Sequence, residues 1–249
     1  MGFGVAIETG ATGIWYGRLI DYIGTHARAT SKDSLMTELL LEKKYHEYFL
    51  EHNGILTVKP GCNRFIIQEQ VKGIEELGES GGAVALFKFD MYDVNLGFLN
   101  HCIEIMDCNR CFLLNEIKSL DSDILNHTPS GKGRNISQIL HHISSAEEFY
   151  ISRLGEEADK VYEKNLETTQ DEANNLPPLE RLSLVREAAV QTLEILIPGK
   201  RGVFTRNEYT RYPDEKWTAH KVLRRFLEHE REHIYNIREY LGKPLRYIG

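Results

Sequence analysis

Apolar positions along the chain change their period near residue 90. Before it they come in short runs. Val5-Ala6-Ile7 and Gly13-Ile14-Trp15-Tyr16-Gly17 read as strand pieces separated by a Gly-Ala-Thr-Gly turn, and a third piece spans Tyr22 to Ala29. From Thr30 to Asp33 the pattern turns helical. Leu35, Leu39, Tyr45, Phe49 and Leu50 recur with acids and lysines between them, which predicts a helix from Ser34 to His52 that Asn53-Gly54 stops. Arg64 to Val71 and Ala83 to Phe89 read as two further strands, with Gly78, Gly81 and Gly82 supplying the turn between them. After residue 90 the pattern is helical throughout. Tyr92 to Leu120 carries Leu96, Leu99, Ile103, Met106, Leu113 and Ile117 at helical spacing. Asn135, with Gln138 three residues on, predicts the capped start of a second helix. Pro177-Pro178 opens a third, and Pro198-Gly199 closes it. Thr218 caps a fourth that ends at Leu241-Gly242-Lys243-Pro244. The expected architecture is an α+β N-terminal domain over residues 1–90, followed by an all-α four-helix bundle over 91–249.

The fourth helix puts histidines where apolar side chains belong. Its core stripe is Val222, Phe226, His229, His233, Ile237 and Tyr240. Two histidines four apart on one helix face can share a metal ion. An adjacent line of Leu223, Leu227, Glu230, Ile234 and Leu241 places Glu230 at the edge of that face. His220 lies across the helix from His229 and is expected at the surface. On the second helix His142 shares a line with Ile139, Ala146 and Phe149 and points inward. His141 shares one with Ser137, Ser144, Ser145 and Glu148, which predicts a solvated face. Any one inward histidine is commonly a hydrogen-bonded packing residue. Burying a pair on one apolar stripe without a shared partner costs on the order of several kcal/mol. Three inward histidines from two helices therefore predict an open three-ligand metal site of His142, His229 and His233. Glu230 is the candidate catalytic group, as a carboxylate that orients an imidazole or moves a proton; an arginine partner at the surface would explain it equally well.

Composition narrows the setting. The chain is 41% hydrophobic and 27% charged, ordinary for a globular fold, and its formal net charge of −7 argues against a nucleic-acid-binding face. No apolar run approaches the ~20 residues that span a membrane, and the N-terminus lacks the pattern of a signal peptide. The expected location is the cytoplasm. There Cys62, Cys102, Cys108 and Cys111 are expected as thiols rather than bridges.

Two motifs read differently in context than in isolation. His229-Glu230-Arg231-Glu232-His233 spells the zinc-protease signature H-E-x-x-H. A protease of that kind takes its third ligand downstream, whereas here Asn236 and Glu239 stand where the extended signature needs glycine and histidine. Cys108-Asn109-Arg110-Cys111 is a C-x-x-C, but it falls inside a helix, where cysteines pack as small apolar residues. Glu147 reads as a capping or salt-bridge residue.

Leu140-His141-His142-Ile143-Ser144-Ser145-Ala146-Glu147 resembles the second-helix motif of the DinB-like (DinB/YfiT) superfamily. Trp217-Thr218, leading through Val222-Leu223 to His229 and His233, is similar to that family's fourth helix. The resemblance covers about Tyr92 to Leu241. It implies a metal-binding bundle with the triad His142, His229 and His233, and zinc or nickel as the divalent ion. Some members resemble transferases or isomerases that use bacillithiol or mycothiol. A thiol-dependent S-transferase with a small-molecule thiol or electrophile as partner is therefore the implied activity. The alternative is a non-enzymatic, partner-binding or regulatory protein with a structural metal. The family also implies a homodimer, although the sequence shows no exposed apolar stripe. The N-terminal strands and helix resemble, more diffusely, a HicB-like domain, read as an accessory module that packs on the bundle or mediates dimerisation.

Overall fold

A computed structural model describes residues 2–55, 63–78 and 81–246. The first segment forms β1 (Phe3–Gly10), β2 (Trp15–Leu19), β3 (His26–Ala29) and α1 (Lys32–His52), and β4 (Phe65–Ile74) follows. The sheet order is β3-β2-β1-β4. Strands β1 and β2 and strands β2 and β3 pair antiparallel, while β4 lies parallel to β1. The two-residue period of β1 sorts its side chains between two faces. Val5 and Ile7 pack with Leu19, Ala27 and the α1 residues Leu35 and Leu39. Ala6 packs on the other side with Ala85, Phe87 and Phe89. Gly17 allows the helix to lie close, since a Cβ there would stand 2.9 Å from Leu39 Cδ1. Ser31 caps α1 by accepting from the Ser34 amide at 3.2 Å.

The strand expected over Ala83 to Phe89 is absent from the sheet, and only Lys88–Met91 adopts a regular form, a 3-10 turn. Side chains take the place of a ladder. Glu8 accepts from the Ala85 amide at 2.6 Å, Glu215 from Val84 at 3.0 Å and Glu69 from Lys88 at 2.8 Å. Lys221 donates to the Val84 carbonyl at 2.6 Å and Arg224 to that of Ala85 at 3.1 Å. Ala85, Phe87 and Phe89 of the run are buried, and these acidic and basic side chains satisfy backbone polar groups along it.

The helical part contains four long helices: α2 (Leu96–Ile117), α4 (Ile136–Ser152), α7 (Pro178–Leu196) and α8 (Ala219–Tyr240). Three short ones, α3 (Ser122–Asn126), α5 (Glu156–Asn165) and α6 (Gln170–Asn174), lie in the connections between the long helices. One core cluster draws on all four long helices: Leu113 and Ile117 from α2, Ile136, Ile139, Leu140 and Ile143 from α4, Leu182 from α7, and Ile234 and Ile237 from α8. Asn135 and Gln138 form the expected capping box of α4.

The chain divides into two compact units, and the division is not one cut near residue 90. The first unit holds residues 1–93, 202–228 and 246–249, and the second holds 94–201 and 229–245. Helix α8 thus begins in one unit and ends in the other. The stretch from Trp217 to Arg231 is buried at every residue, including Lys221, Arg224, Arg225 and Glu228. An amphipathic reading leaves such charges in water. Here each is paired within the first unit. Arg224 grips both Asp90 oxygens at 2.8 Å, and Glu228 accepts from Arg18 Nε and Arg225 at 2.8 Å. Lys221 pairs with Glu215 at 3.0 Å.

Candidate metal centre

Helices α4 and α8 bring three imidazoles to one point within the second unit. His229 Nε2 lies 3.3 Å from His142 Nε2 and 3.1 Å from His233 Nε2. Suitable ligand atoms of all three lie within 4.8 Å of one another. The rings are close to mutually perpendicular, with interplanar angles of 69°, 86° and 80°. His229 and His233 are buried and His142 is partly exposed. Asn236 approaches Nδ1 of His233 at 3.2 Å, and the Tyr150 ring stands edge-on to His229 at 5.8 Å. Burial, and after it the Arg134 charge, push the His142 imidazole down to about 4 against the pull of Glu232. It is therefore neutral at neutral pH, the form that binds metals.

The donor set fits a divalent ion. Nitrogens about 2.0–2.1 Å from a tetrahedral ion lie roughly 3.3–3.4 Å apart, close to the separations found here. A neutral imidazole offers one N–H and one lone pair. His229 Nε2 can therefore make one well-directed hydrogen bond, yet it faces two neighbours. Three lone pairs turned on one cation resolve that conflict.

Beside the histidines lies a layer of charge that the sequence did not reveal. Glu230 follows His229 on α8, but its carboxylate turns to two arginines. Arg110 Nε of α2 donates to Oε1 at 2.6 Å, and Arg186 Nη2 of α7 donates to Oε2 at 2.8 Å. Both guanidiniums also reach Glu147 of α4, Arg110 at 2.7 Å and Arg186 through Nε at 3.1 Å and through Nη2. All four side chains are buried. Burial alone would raise the Glu230 carboxyl, but Arg110 and Arg186 outweigh it and hold the group below its ordinary value. Both oxygens are held by guanidinium groups, so Glu230 is an ion-pair partner of buried arginines rather than of one at the surface. Glu147 forms the salt bridges anticipated as one of its two readings.

Other expectations shift with the packing. His220 is buried, not at the surface: its Nδ1 lies 3.4 Å from Asp90 Oδ1 and its ring stands edge-on to Phe89. His141 is partly exposed, as are Ser137, Ser145 and Glu148 of the same face, whereas Ser144 is buried. Arg181 of α7 covers it, donating to Ser144 Oγ, to Glu148 Oε2 at 2.5 Å and to the His141 carbonyl at 3.4 Å. Burial, then Arg181, lower the His141 imidazole below its usual range. Among the cysteines, Cys102 is buried, Cys108 partly so, and Cys111 is exposed, so Cys111 does not pack as an apolar residue. Cys62 lies outside the described residues. Among the described residues no helix is long and apolar enough to cross a membrane.

A search of curated proteins gives no match. Among solved structures, the chain is similar to YfiT from Bacillus subtilis, with 18% identity and a TM-score of 0.44 over 66% of this chain and 96% of that one. That protein is described as a probable metal-dependent hydrolase with an unusual four-helix bundle topology. The family model for the DinB superfamily matches residues 113–237, a span that contains all three histidines and leaves the N-terminal sheet outside it. The chain belongs to the DinB superfamily.

Proposed function

We propose that His142, His229 and His233 hold a divalent ion, zinc or nickel, and that the protein is a metal-dependent enzyme. In this reading α2, α4, α7 and α8 form the family's four-helix bundle. The observation that supports it is the convergence of three Nε2 atoms with no carboxylate among them. A bound divalent ion would supply Lewis acidity, lowering the pKa of a thiol or water presented to it. The chain's own contribution is placement. Helix α8 presents two imidazoles one turn apart, and α4 presents the third in neutral form. The partial exposure of His142 leaves a side from which a small molecule can approach. A small-molecule thiol is the co-substrate we propose; its thiolate attacks an electrophilic carbon to form a thioether, the thiol proton passing to solvent and the electrophile's leaving group departing.

The test is metal content. Purified protein is expected to carry one equivalent of zinc or nickel, and His142→Ala and His233→Ala are expected to lose it while keeping the far-ultraviolet circular dichroism of the parent. Absence of stoichiometric metal after dialysis against zinc and nickel would sink the metal reading. Loss of folding in both variants would make the ion structural. If they stay folded, the parent is assayed for conjugation of bacillithiol and mycothiol to a small electrophile. The transferase reading fails if no conjugate forms.

A further inference from the structure

The two arginines of the buried layer are related to one another by more than proximity. Arg110 Nη1 donates to the carbonyl of Leu182 at 2.8 Å, and Arg186 Nη1 donates to the carbonyl of Met106 at 3.2 Å. Leu182 lies four residues before Arg186 on α7, and Met106 lies four residues before Arg110 on α2. Each arginine is thus tied to the backbone of the other's helix, one turn upstream. The pair forms a closed, reciprocal brace between α2 and α7. Glu147 and Glu230 then dock onto that brace, and each accepts from both arginines.

Those two acids stand on the two helices that carry the histidines. Glu147 is five residues past His142 on α4, and Glu230 is one residue past His229 on α8. Along their helix axes these are roughly 7.5 Å and 1.5 Å. A planar guanidinium fork accepts a carboxylate in few orientations. Apolar packing alone tolerates sliding and rotation, and a buried ion pair is not in general more stabilising than apolar residues of the same volume. What such a quartet adds is fixed geometry.

We infer that Arg110, Arg186, Glu147 and Glu230 are positioning residues, which lock α4 and α8 in rotation and register so that the three imidazole nitrogens meet. This rests on the metal reading above. The quartet touches neither ion nor substrate and acts through the placement of His142, His229 and His233.

The test uses the full chain loaded with cobalt(II), whose visible absorption reports coordination geometry. Four proteins are compared: the parent, Glu147→Gln, Glu230→Gln, and the charge-balanced double variant Arg186→Met with Glu147→Gln. The double variant keeps the Arg110–Glu230 pair. Leu113→Ala, a core cavity in the same unit, serves as a control that lowers stability without touching the quartet. The quartet variants that fold are expected to bind cobalt(II) 10- to 100-fold more weakly and to show shifted visible bands. Leu113→Ala is expected to lose stability while keeping both the affinity and the bands. Folded quartet variants with affinity within twofold of the parent and unchanged bands would overturn the inference. So would a set in which every quartet variant unfolds, since the layer would then serve the fold and not the ligands. If the parent itself binds no cobalt(II), zinc or nickel, it is the metal reading that fails.

Discussion

At the scale of single residues, the chemistry of this protein depends on which polar groups are buried with partners. Asp90 is one such case. Burial alone would raise its carboxyl, but Arg224, and then the hydrogen bond from His220, hold it far below the usual carboxylate range. Its folded-state pKa is below its unfolded value. The stability it contributes is therefore present above about pH 4 and is lost as pH falls through the folded value. Urea midpoints measured from about pH 4 downward should fall more steeply for the parent than for Asp90→Asn. Lys221 shows the opposite sign. Burial lowers its ammonium from 10.5 to about 8, against the pull of Glu215. The unfolded chain keeps that proton between about pH 8 and 10.5, whereas the folded chain gives it up. The burial cost, on the order of 3 kcal/mol below pH 8, is thus relieved as pH rises. Between pH 8 and pH 10 the parent should gain stability relative to Lys221→Met. A parallel dependence in the two proteins would refute the assignment. The three clustered histidines were legible because each interrupts an apolar stripe. Arg110 and Arg186 were not, because one charged residue on a helix is indistinguishable from a solvated one until its partner on a distant helix is known.

At the scale of elements, helix α4 shows how local sequence sets a functional side chain. Asn135 Oδ1 accepts from the Gln138 amide at 2.8 Å, and Gln138 Oε1 accepts from the Asn135 amide at 3.0 Å. This reciprocal cap fixes where the helix begins, and His142 sits two turns further on. Asn135→Ala should cost about 1 kcal/mol of stability, read as a lowered urea midpoint. A change within experimental error would show that α4 is held by packing alone. The capping box and the proline at the start of α7 were readable because their causes are local. The segment Ala83 to Phe89 was not. Its composition is that of a strand, but Glu8, Glu69 and Glu215 occupy the amides that a neighbouring strand would take. Likewise α8 showed its apolar stripe in sequence, while the burial of its opposite face depends on Asp90 and Arg18, far away along the chain.

At the scale of the whole molecule, the discontinuous first unit changes what counts as a separable part. A fragment beginning at residue 91 retains Lys221, Arg224, Arg225 and Glu228 but loses Asp90, Glu8 and Arg18. Removing one side of a buried ion pair typically costs 3–5 kcal/mol, and several would be lost at once. The fragment 91–249 should therefore fail to give a cooperative thermal transition. A sharp transition near that of the full chain would show that the helical part stands alone.

The placement of residues 202–228 in that first unit also bears on the order in which the protein can be made. A ribosome delivers the N-terminal sheet first, and the helix whose charges complete its ion pairs emerges long after it. Until about residue 228 has left the exit tunnel, Asp90 lacks Arg224, and the Arg18–Glu8 pair lacks Glu228. Nascent chains stalled at residue 201 should accordingly remain protease-sensitive across the sheet, and chains extended to residue 249 should become resistant there in a single step.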